Sequence, residues 1–214
     1  MEQTRISAIR HGETAWNVDT RLQGHLDIPL NEVGLRQAQH LAQTLVQRET
    51  IDAIYASDLS RAHSTAQAIA QAMGRTVTVH AGLRERHFGA FQGRTFAQIE
   101  TELPEHAWHW RKRTPDWAPP GGGESLTVLR DRVIQTIDEL AAAHAGQHIV
   151  MVAHGGVLDI LYRAAARLDL QAPRTWALTN TAVNRLLWTP QGLSLVGWGD
   201  TSHLDAVAKD ESSL

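Results

Sequence analysis

The stretch Ile6-Ser7-Ala8-Ile9-Arg10-His11-Gly12-Glu13-Thr14 decides how this chain is organised. Its first part, from Ile6 to Ile9, is short and mostly apolar and predicts a strand, and the polar segment from Gly12 to Asp27 predicts a functional loop. His11 stands between an arginine and a glycine where this strand ends. Guanidinium groups pair well with phosphate oxygens, and glycine lets the backbone approach a ligand closely. The stretch therefore suggests a nucleophilic imidazole beside a bound anion, and a surface loop without chemistry is the alternative.

The composition of the 214-residue chain describes an ordinary soluble globular protein. Apolar residues make up 43% and charged residues 20%, which suits one domain over residues 1–214. A net charge of -3 and a pI near 6.4 argue against nucleic acid as a partner, because binding its backbone needs clustered Lys and Arg. The absence of cysteine excludes disulfides, thiolate zinc sites and catalytic thiols.

The sequence shows neither an export signal nor a membrane anchor. Residues Met1 to Arg5 lack the apolar core of a signal peptide, and no apolar run is long enough to span a bilayer. We therefore expect a cytoplasmic protein that has no membrane partner.

Strand and helix patterns alternate along the chain. Further strands are predicted from Ile51 to Ala56, from Thr76 to His80 and from Ile149 to Ala153, with a closing hairpin at Ala182 to Trp188 and Leu193 to Trp198. Strands that alternate with helices favour a parallel sheet. The predicted fold class is thus α/β, with three α/β/α layers around a mainly parallel central sheet.

Four segments between these strands repeat apolar residues at helical spacing and predict buried helix faces. The faces comprise Ala38, Leu41, Ala42, Leu45 and Val46; Ala62, Ala66, Ile69 and Met73; Leu126, Leu129, Val133, Ile137, Leu140 and Ala141; and Val157, Leu161, Ala164 and Leu168. Asn31, the segment Ser57–Ser60 and Ser125 are predicted helix caps, and Gly74 is a predicted helix stop.

The region from Gly82 to Glu124 differs in composition from the rest of the chain, because it is rich in glycine, proline and tryptophan. We interpret its later part, approximately residues 93–124, as a cap inserted over one end of the sheet. Its tryptophans, Trp108, Trp110 and Trp117, are expected mainly to pack the insertion onto the body. The basic run Arg111-Lys112-Arg113 is either a solvated face or a site for a second anionic group of a substrate.

Three predicted parallel strands end in polar residues, at Arg10-His11, Ser57 to Arg61 and His154-Gly155. Ligands of open α/β sheets bind outside the carboxyl ends of the strands, so these residues are expected to converge. A neutral imidazole can attack phosphorus, while arginines and a protonated His154 bind the phosphoryl oxygens. Helix N-termini after Ser60 and Gly156 would add backbone N–H donors. No metal or other cofactor is expected.

A carboxylate is still needed to protonate the leaving oxygen. Glu85, in Leu83-Arg84-Glu85-Arg86-His87-Phe88-Gly89, is our candidate for this general acid, which would later accept a proton from the attacking water. An ion-paired surface glutamate is the alternative that spacing alone leaves open.

Five motifs in order resemble the histidine phosphatase superfamily, the phosphoglycerate mutase-like proteins, over nearly the whole chain. They are Arg10-His11-Gly12-Glu13-Thr14, Ser57-Asp58-Leu59-Ser60-Arg61-Ala62, Leu83-Arg84-Glu85 through Gly93, Gly122-Gly123-Glu124-Ser125 and Val152-Ala153-His154-Gly155-Gly156. The resemblance implies that His11 becomes a phosphohistidine and that Glu85 donates and accepts the proton. It implies a phosphate pocket formed by Arg10, Asn17, Gln23, Gly24, Arg61, His154 and the Gly155 backbone.

The favoured function is a metal-independent histidine acid phosphatase that hydrolyses phosphomonoesters of small metabolites. The segment from Leu22 to Asn31 resembles the phosphatase-type members, whereas Glu85 to Gly89 is close to the mutase version, so a phosphoglycerate mutase is the alternative. A phospholigand-binding protein without turnover is a third interpretation. A metal site at His106 and His109 lacks a supporting carboxylate-histidine pattern. The expected partner is a small phosphorylated metabolite, and a homodimer is left open.

Overall fold

The computed structural model describes residues 3–204, so both ends of the predicted 1–214 domain lie outside the described residues. The strands are β1 (Thr4–Arg10), β2 (Ala53–Ala56), β3 (Val77–Val79), β4 (His148–Ala153), β5 (Val183–Thr189) and β6 (Gly192–Asp200). The helices are α1 (Ala15–Val18), α2 (Glu32–Arg48), α3 (Ser60–Met73), α4 (Phe96–Glu102), α5 (Pro104–Arg111), α6 (Leu126–Ala142) and α7 (Gly155–Ala166). Single 3₁₀ turns occur at Ala81–Leu83 and Gly89–Phe91.

The six strands form one sheet in the order β3-β2-β4-β1-β5-β6. The first four of these strands are mutually parallel, and the hairpin of β5 and β6 adds antiparallel strands at one edge. Strand β4 is buried along its whole length, as its unbroken apolar run predicts. The predicted α/β class with a mainly parallel sheet is confirmed.

Helices cover both faces of the sheet, and the side chains of β4 alternate between the two resulting cores. Val150 and Val152 pack with residues of α2 and α3, whereas Ile149 and Met151 pack with residues of α6 and α7. Burying each such side chain stabilises the fold by roughly 1.5–3 kcal/mol. This three-layer packing fixes β1, β2 and β4 side by side, with their carboxyl ends at one edge.

Several predicted helix ends are confirmed. Asn31 and Ser125 cap α2 and α6 by accepting hydrogen bonds from the backbone N–H groups of Gly34 and Val128. Gly74 ends α3 in the left-handed conformation, at φ 63°. The predicted side-chain cap of α3 within Ser57–Ser60 is wrong, because Leu59 is the N-cap residue and makes no side-chain bond there.

The predicted burial is wrong for two residues, Val46 and Leu168. Val46 is 46% exposed, because it lies at the rim of the apolar face of α2. Leu168 is 41% exposed, because α7 ends before it, at Arg167 in the left-handed conformation with φ 56°. In the sequence, apolar residues keep their helical spacing beyond the end of α7, and no glycine or proline marks that end.

Helices α4 and α5 have a small core of their own, made by Phe88, Phe91, Ile99 and Ala107. Trp110 and Trp117 pack against this core, whereas Trp108 is 54% exposed. No helix within residues 3–204 combines the length and the apolar character that crossing a membrane requires.

Candidate active site

A cavity of about 720 Å³ opens at the carboxyl ends of β1 and β4, between the sheet and helices α4 and α5. Most of the predicted site residues line it, namely Arg10, His11, Asn17, Gln23, Gly24, Arg61, Glu85 and Gly155. Trp110, Arg111 and Arg113 also line it, but Trp108 does not. The structure thus shows which of these cap residues line the cavity, which the sequence could not show.

His11 lies directly beyond β1 with only 3% of its surface exposed. Its Nδ1 is 2.7 Å from the carbonyl oxygen of Gly12. A carbonyl oxygen only accepts hydrogen bonds, so Nδ1 carries the proton and the lone pair lies on Nε2. The backbone of His11 is fixed as well, because its N–H donates to Ala153 and its carbonyl oxygen accepts from Asn180. This is the tautomer that nucleophilic attack through Nε2 requires.

The charge state of His11 suits the same role. Burial, followed by the nearby guanidinium groups of Arg10 and Arg61, lowers its pKa well below the usual value, against the opposing hydrogen bond to Gly12. The imidazole is therefore neutral near pH 7. A neutral imidazole is a nucleophile, whereas an imidazolium is not.

Gly12 has a packing role besides the predicted one. A Cβ atom at this position would lie 2.6 Å from the carbonyl oxygen of Gly34 at the start of α2. The missing side chain thus allows the strand end to pack against a helix backbone, in addition to any approach of a ligand. The Gly12 N–H donates to Thr65, which ties the same point to α3.

Two arginines flank His11 with part of their hydrogen-bonding capacity unused. Arg61 donates through its terminal nitrogens to the carbonyl oxygens of Leu26 and Gly24, and Arg10 donates to Leu178. The Nε atoms of both arginines are buried and make no hydrogen bond within residues 3–204. Buried cationic donors without acceptors are costly, so an anion in the cavity would stabilise this arrangement.

His154 is fully buried behind His11, with the two ring centroids 5.2 Å apart. Burial, then the nearby Arg61 and His11, lowers its pKa well below the usual value. The predicted protonated His154 is therefore wrong for this structure, because no carboxylate within residues 3–204 lies close enough to offset burial. The ring is also absent from the cavity lining.

Glu85 lies across the cavity at the start of α7. Its carboxylate accepts hydrogen bonds from the backbone N–H of Arg86, at 2.8 Å, and of Gly156, at 3.0 and 3.1 Å to the two oxygens. The N–H of Ser60 likewise binds a carboxylate, that of Asp27, at 2.8 Å. These backbone N–H groups, at the helix starts predicted to bind a ligand anion, thus bind carboxylates of the protein instead. At α3 the carboxylate belongs to Asp27, and at α7 it belongs to Glu85.

Arg132 on α6 fixes the backbone that bears Glu85. It donates to the carbonyl oxygens of Gly82 (2.8 Å), Arg84 (2.9 Å) and Glu85 (3.3 Å). It also binds both carboxylate oxygens of Glu124 at 2.8 Å, in a fork geometry. Glu124 accepts the N–H of His87, so the segment 82–87 is held from both sides.

Three residues of this region could not be predicted from the sequence. Arg132 looks like an ordinary charged residue on a helix, and Asn180 and Arg174 lie in a loop without a recognisable motif. Only the polar Thr179-Asn180-Thr181 run before β5 was an available signal. Within residues 3–204, no group of three or more His, Asp or Glu side chains is placed so that it could hold a metal ion.

Comparison with known proteins gives a consistent result. A profile of the histidine phosphatase superfamily (branch 1) matches residues 6–201. The chain is 39% identical to phosphoglycerate mutase-like protein 4 of Arabidopsis thaliana, over 96% of this chain and 89% of that protein. It is 37% identical to the metal-independent phosphoserine phosphatase of the same plant, over 96% and 85%. A mycobacterial glucosyl-3-phosphoglycerate phosphatase superimposes with a TM-score of 0.81 at 33% identity, over 93% and 100% of the two chains.

Proposed function

The chain belongs to the histidine phosphatase superfamily, and we propose that it hydrolyses phosphomonoesters of small metabolites through a phosphohistidine on His11. The observation that supports this most directly is the buried, neutral His11, which has its lone pair on Nε2 and lines one cavity together with Arg10, Arg61 and Glu85. The names of similar proteins support the class of metal-independent phosphatase.

In the first step, the Nε2 lone pair of His11 forms a bond to phosphorus while the bond from phosphorus to the leaving oxygen breaks. Arg10 and Arg61 offset the charge that spreads over the phosphoryl oxygens. The carboxyl group of Glu85 donates a proton to the leaving oxygen and becomes a carboxylate.

In the second step, water attacks the phosphohistidine. The Glu85 carboxylate accepts one proton from this water as its oxygen bonds to phosphorus, and the bond between phosphorus and Nε2 breaks. Inorganic phosphate leaves and His11 returns to its neutral form. All atoms and protons balance with the residues of this chain and one water molecule.

Phosphate release from a panel of phosphomonoesters tests this proposal. We expect turnover that persists in excess chelator, because every step uses side chains of the protein. A loss of activity in chelator that is restored by one added metal ion would contradict the metal-independent mechanism. Ranking the substrates by kcat/KM then reports which leaving group the site prefers, since this ratio measures differential binding of the transition state.

A phosphoglycerate mutase is the second candidate, supported by the similarity to a phosphoglycerate mutase-like protein. A mutase returns the phosphoryl group to the substrate before water attacks the phosphohistidine. Interconversion of 3-phosphoglycerate and 2-phosphoglycerate that exceeds phosphate release, with a trace of bisphosphoglycerate present, would favour this candidate over the phosphatase.

Replacing Gly156 with alanine is expected to lower kcat on the order of 10²-fold, because a displacement of about 1 Å at a reacting group has an effect of this size. A Cβ atom at Gly156 would lie 2.3 Å from Oε1 of Glu85 and would push the carboxylate away from the N–H groups that hold it. Steady-state kinetics would measure this change.

Gly197→Ala is the control, because a Cβ atom at this position would meet no other atom within 4 Å. Gly197 lies on β6 and does not line the cavity. We expect this variant to keep the wild-type kcat. A wild-type kcat in Gly156→Ala as well would show that the position of Glu85 is unimportant.

Four other features complete the proposal. We propose that all of residues 1–214 belong to one histidine phosphatase domain and that residues 93–124 act as its cap, which is supported by the lining positions of Trp110 and Arg113. The cytoplasmic location and the homodimer stay predictions, which cell fractionation and light scattering would test.

A further inference from the structure

Residues 178–181, in the loop between α7 and β5, pack against the end of β1, and we call them the anchor segment. The carbonyl oxygen of Leu178 accepts a hydrogen bond from the Arg10 side chain. The N–H of Thr181 donates to the carbonyl oxygen of Arg10 at 3.0 Å. The anchor segment thus binds both the side chain and the backbone of an arginine of the phosphate pocket, and the mechanism proposed above assigns it no role.

The backbone of the anchor segment is strained at Thr181. This residue has φ 56°, a conformation that β-branched residues rarely adopt, and it is fully buried. Its hydroxyl donates to the carbonyl oxygen of Asn180 at 2.8 Å. Strained backbone persists only where surrounding contacts hold it, and it concentrates at functional sites. The strain therefore points to a function for the side chain that precedes it, that of Asn180.

The amide nitrogen of Asn180 carries two N–H groups and has two acceptors. It donates to the carbonyl oxygen of His11 at 2.8 Å and to Oδ1 of Asn17 at 3.3 Å. A backbone carbonyl only accepts, so the nitrogen of the Asn180 amide must face the end of β1. In the same peptide unit, the N–H of Gly12 donates to Thr65 at 3.0 Å. The peptide plane that follows the nucleophile is therefore held at both of its polar groups.

The second bond of Asn180 fixes the direction of the Asn17 amide. Oδ1 of Asn17 also accepts from the backbone N–H of Thr14 at 3.1 Å and from the Thr14 hydroxyl at 3.2 Å, within the capping box of α1. Three donors thus surround this oxygen. No hydrogen bond within residues 3–204 uses Nδ2 of Asn17, and Asn17 lines the cavity. The donors on Nδ2 are therefore left for a ligand in the cavity, because the oxygen of the same amide is held by the protein.

We propose that Asn180 is a positioning residue, which holds the backbone of His11 and directs the amide donors of Asn17 toward the transferred phosphoryl group. Asn180 does not line the cavity, so it acts through these two neighbours. The inference rests on the proposed function, because the phosphoryl group must occupy the pocket beside His11.

A double-mutant cycle with inorganic phosphate as the probe tests this role without turnover. In calorimetric titrations, Asn180→Ala should bind phosphate roughly 5- to 10-fold more weakly than the wild type, which corresponds to about one hydrogen bond to a charged group. In the Asn17→Ala background, the same change should alter the affinity by less than about 2-fold, because the donor that Asn180 directs is already absent. Equal losses in both backgrounds, or no loss in either, would overturn the inference.

Asn180→Leu shows whether lost packing explains the result, since leucine has nearly the volume of asparagine without its donors. It should lose as much phosphate affinity as Asn180→Ala. Wild-type affinity in Asn180→Leu would contradict the assigned role.

Asn184→Ala is the matched control. Asn184 donates to the carbonyl oxygen of Ala8 on the same strand at 3.0 Å, but it does not line the cavity and has no bond to His11 or Asn17. We expect its loss to lower the melting temperature and to leave phosphate affinity unchanged. A loss of affinity equal to that of Asn180→Ala would assign the effect to the fold and refute the positioning role.

NMR spectra of ¹⁵N-labelled protein supply a signal that a merely structural role would not move. The side-chain NH₂ peaks of Asn17 can be identified by their absence from the spectrum of Asn17→Ala. Added phosphate should shift these peaks in the wild type and in Asn184→Ala, and far less in Asn180→Ala. A shift of wild-type size in Asn180→Ala would mean that the Asn17 amide keeps its direction without Asn180, and the inference would fail.

The binding experiments separate this inference from the proposed function. Phosphate affinity that depends on Asn180 only when Asn17 is present supports the positioning role, even if no phosphomonoester is hydrolysed. Phosphate affinity that is independent of Asn180 refutes that role, even if the wild type is an active phosphatase.

Discussion

Replacing His11 with alanine is expected to lower phosphatase activity by at least about 10⁴-fold, because removing the nucleophile removes the covalent pathway itself. The backbone of His11 keeps its bonds to Ala153 and Asn180 in this variant, so the cavity should persist. Rapid-quench experiments with a ³²P-labelled ester would show acid-labile phosphoprotein in the wild type and none in His11→Ala. Near-normal activity in the variant would refute the assignment of the nucleophile.

The pH dependence of His11 phosphorylation adds an independent check. Burial and two neighbouring arginines lower the pKa of His11, so the ring stays neutral and nucleophilic as the pH falls through the range where a free histidine becomes charged. Phosphoprotein formation in single turnovers should therefore keep its rate from pH 8 to below pH 6.5. A rate that falls with an ordinary histidine titration would contradict the lowered pKa.

His40→Ala is the matched control for both experiments. His40 lies on α2 and does not line the cavity. We expect it to retain wild-type turnover and phosphoprotein formation. A comparable loss in His40→Ala would show that the effect of His11→Ala comes from the fold.

Replacing Glu85 with glutamine is expected to lower kcat for alkyl phosphates by roughly 10²- to 10⁴-fold, which is the usual size of general acid catalysis. The amide oxygen can still accept the N–H groups of Arg86 and Gly156, so the local structure is preserved. Glutamine has no acidic proton for the leaving alkoxide. Steady-state kinetics with glycerol 3-phosphate would measure the loss.

The identity of the leaving group distinguishes proton donation from a structural role. An aryl ester such as p-nitrophenyl phosphate releases a stable phenolate, so phosphoprotein formation from it should fall far less in Glu85→Gln than formation from an alkyl ester. Glu139→Gln, on the exposed side of α6, should leave both reactions unchanged. Equal losses for the aryl and alkyl esters would show that Glu85 positions other groups and does not donate the proton.

Much of the fold could be predicted from the local sequence. The fully apolar run of β4 required cover on both faces, and the apolar faces of α2, α3, α6 and α7 supplied that cover. The errors occurred where the local pattern was ambiguous. Leu168 continued the apolar spacing of α7 beyond a helix end set by Arg167, and the pattern alone could not show this.

Only some features of the candidate site could be predicted from the sequence. His11, Arg61 and Glu85 could be named because motifs of the sequence contain them, and the structure brings all three to one cavity. The charge of His154 was predicted wrongly, because a pKa depends on burial and on neighbours that are distant in sequence. Arg132 was missed for a related reason, since its three carbonyl acceptors lie about 50 residues away along the chain.

The sequence by itself determined the layered α/β fold and the residue types able to transfer a phosphoryl group, because strand and helix periodicity and side-chain chemistry are local properties. Only the tertiary structure decided that His11 carries its proton on Nδ1 and that Glu85 rests on the N-terminus of α7. These features depend on distances of a few ångströms between segments far apart in the chain. Hydrogen bonds and electrostatic interactions change steeply over such distances, so only the packed structure can fix them.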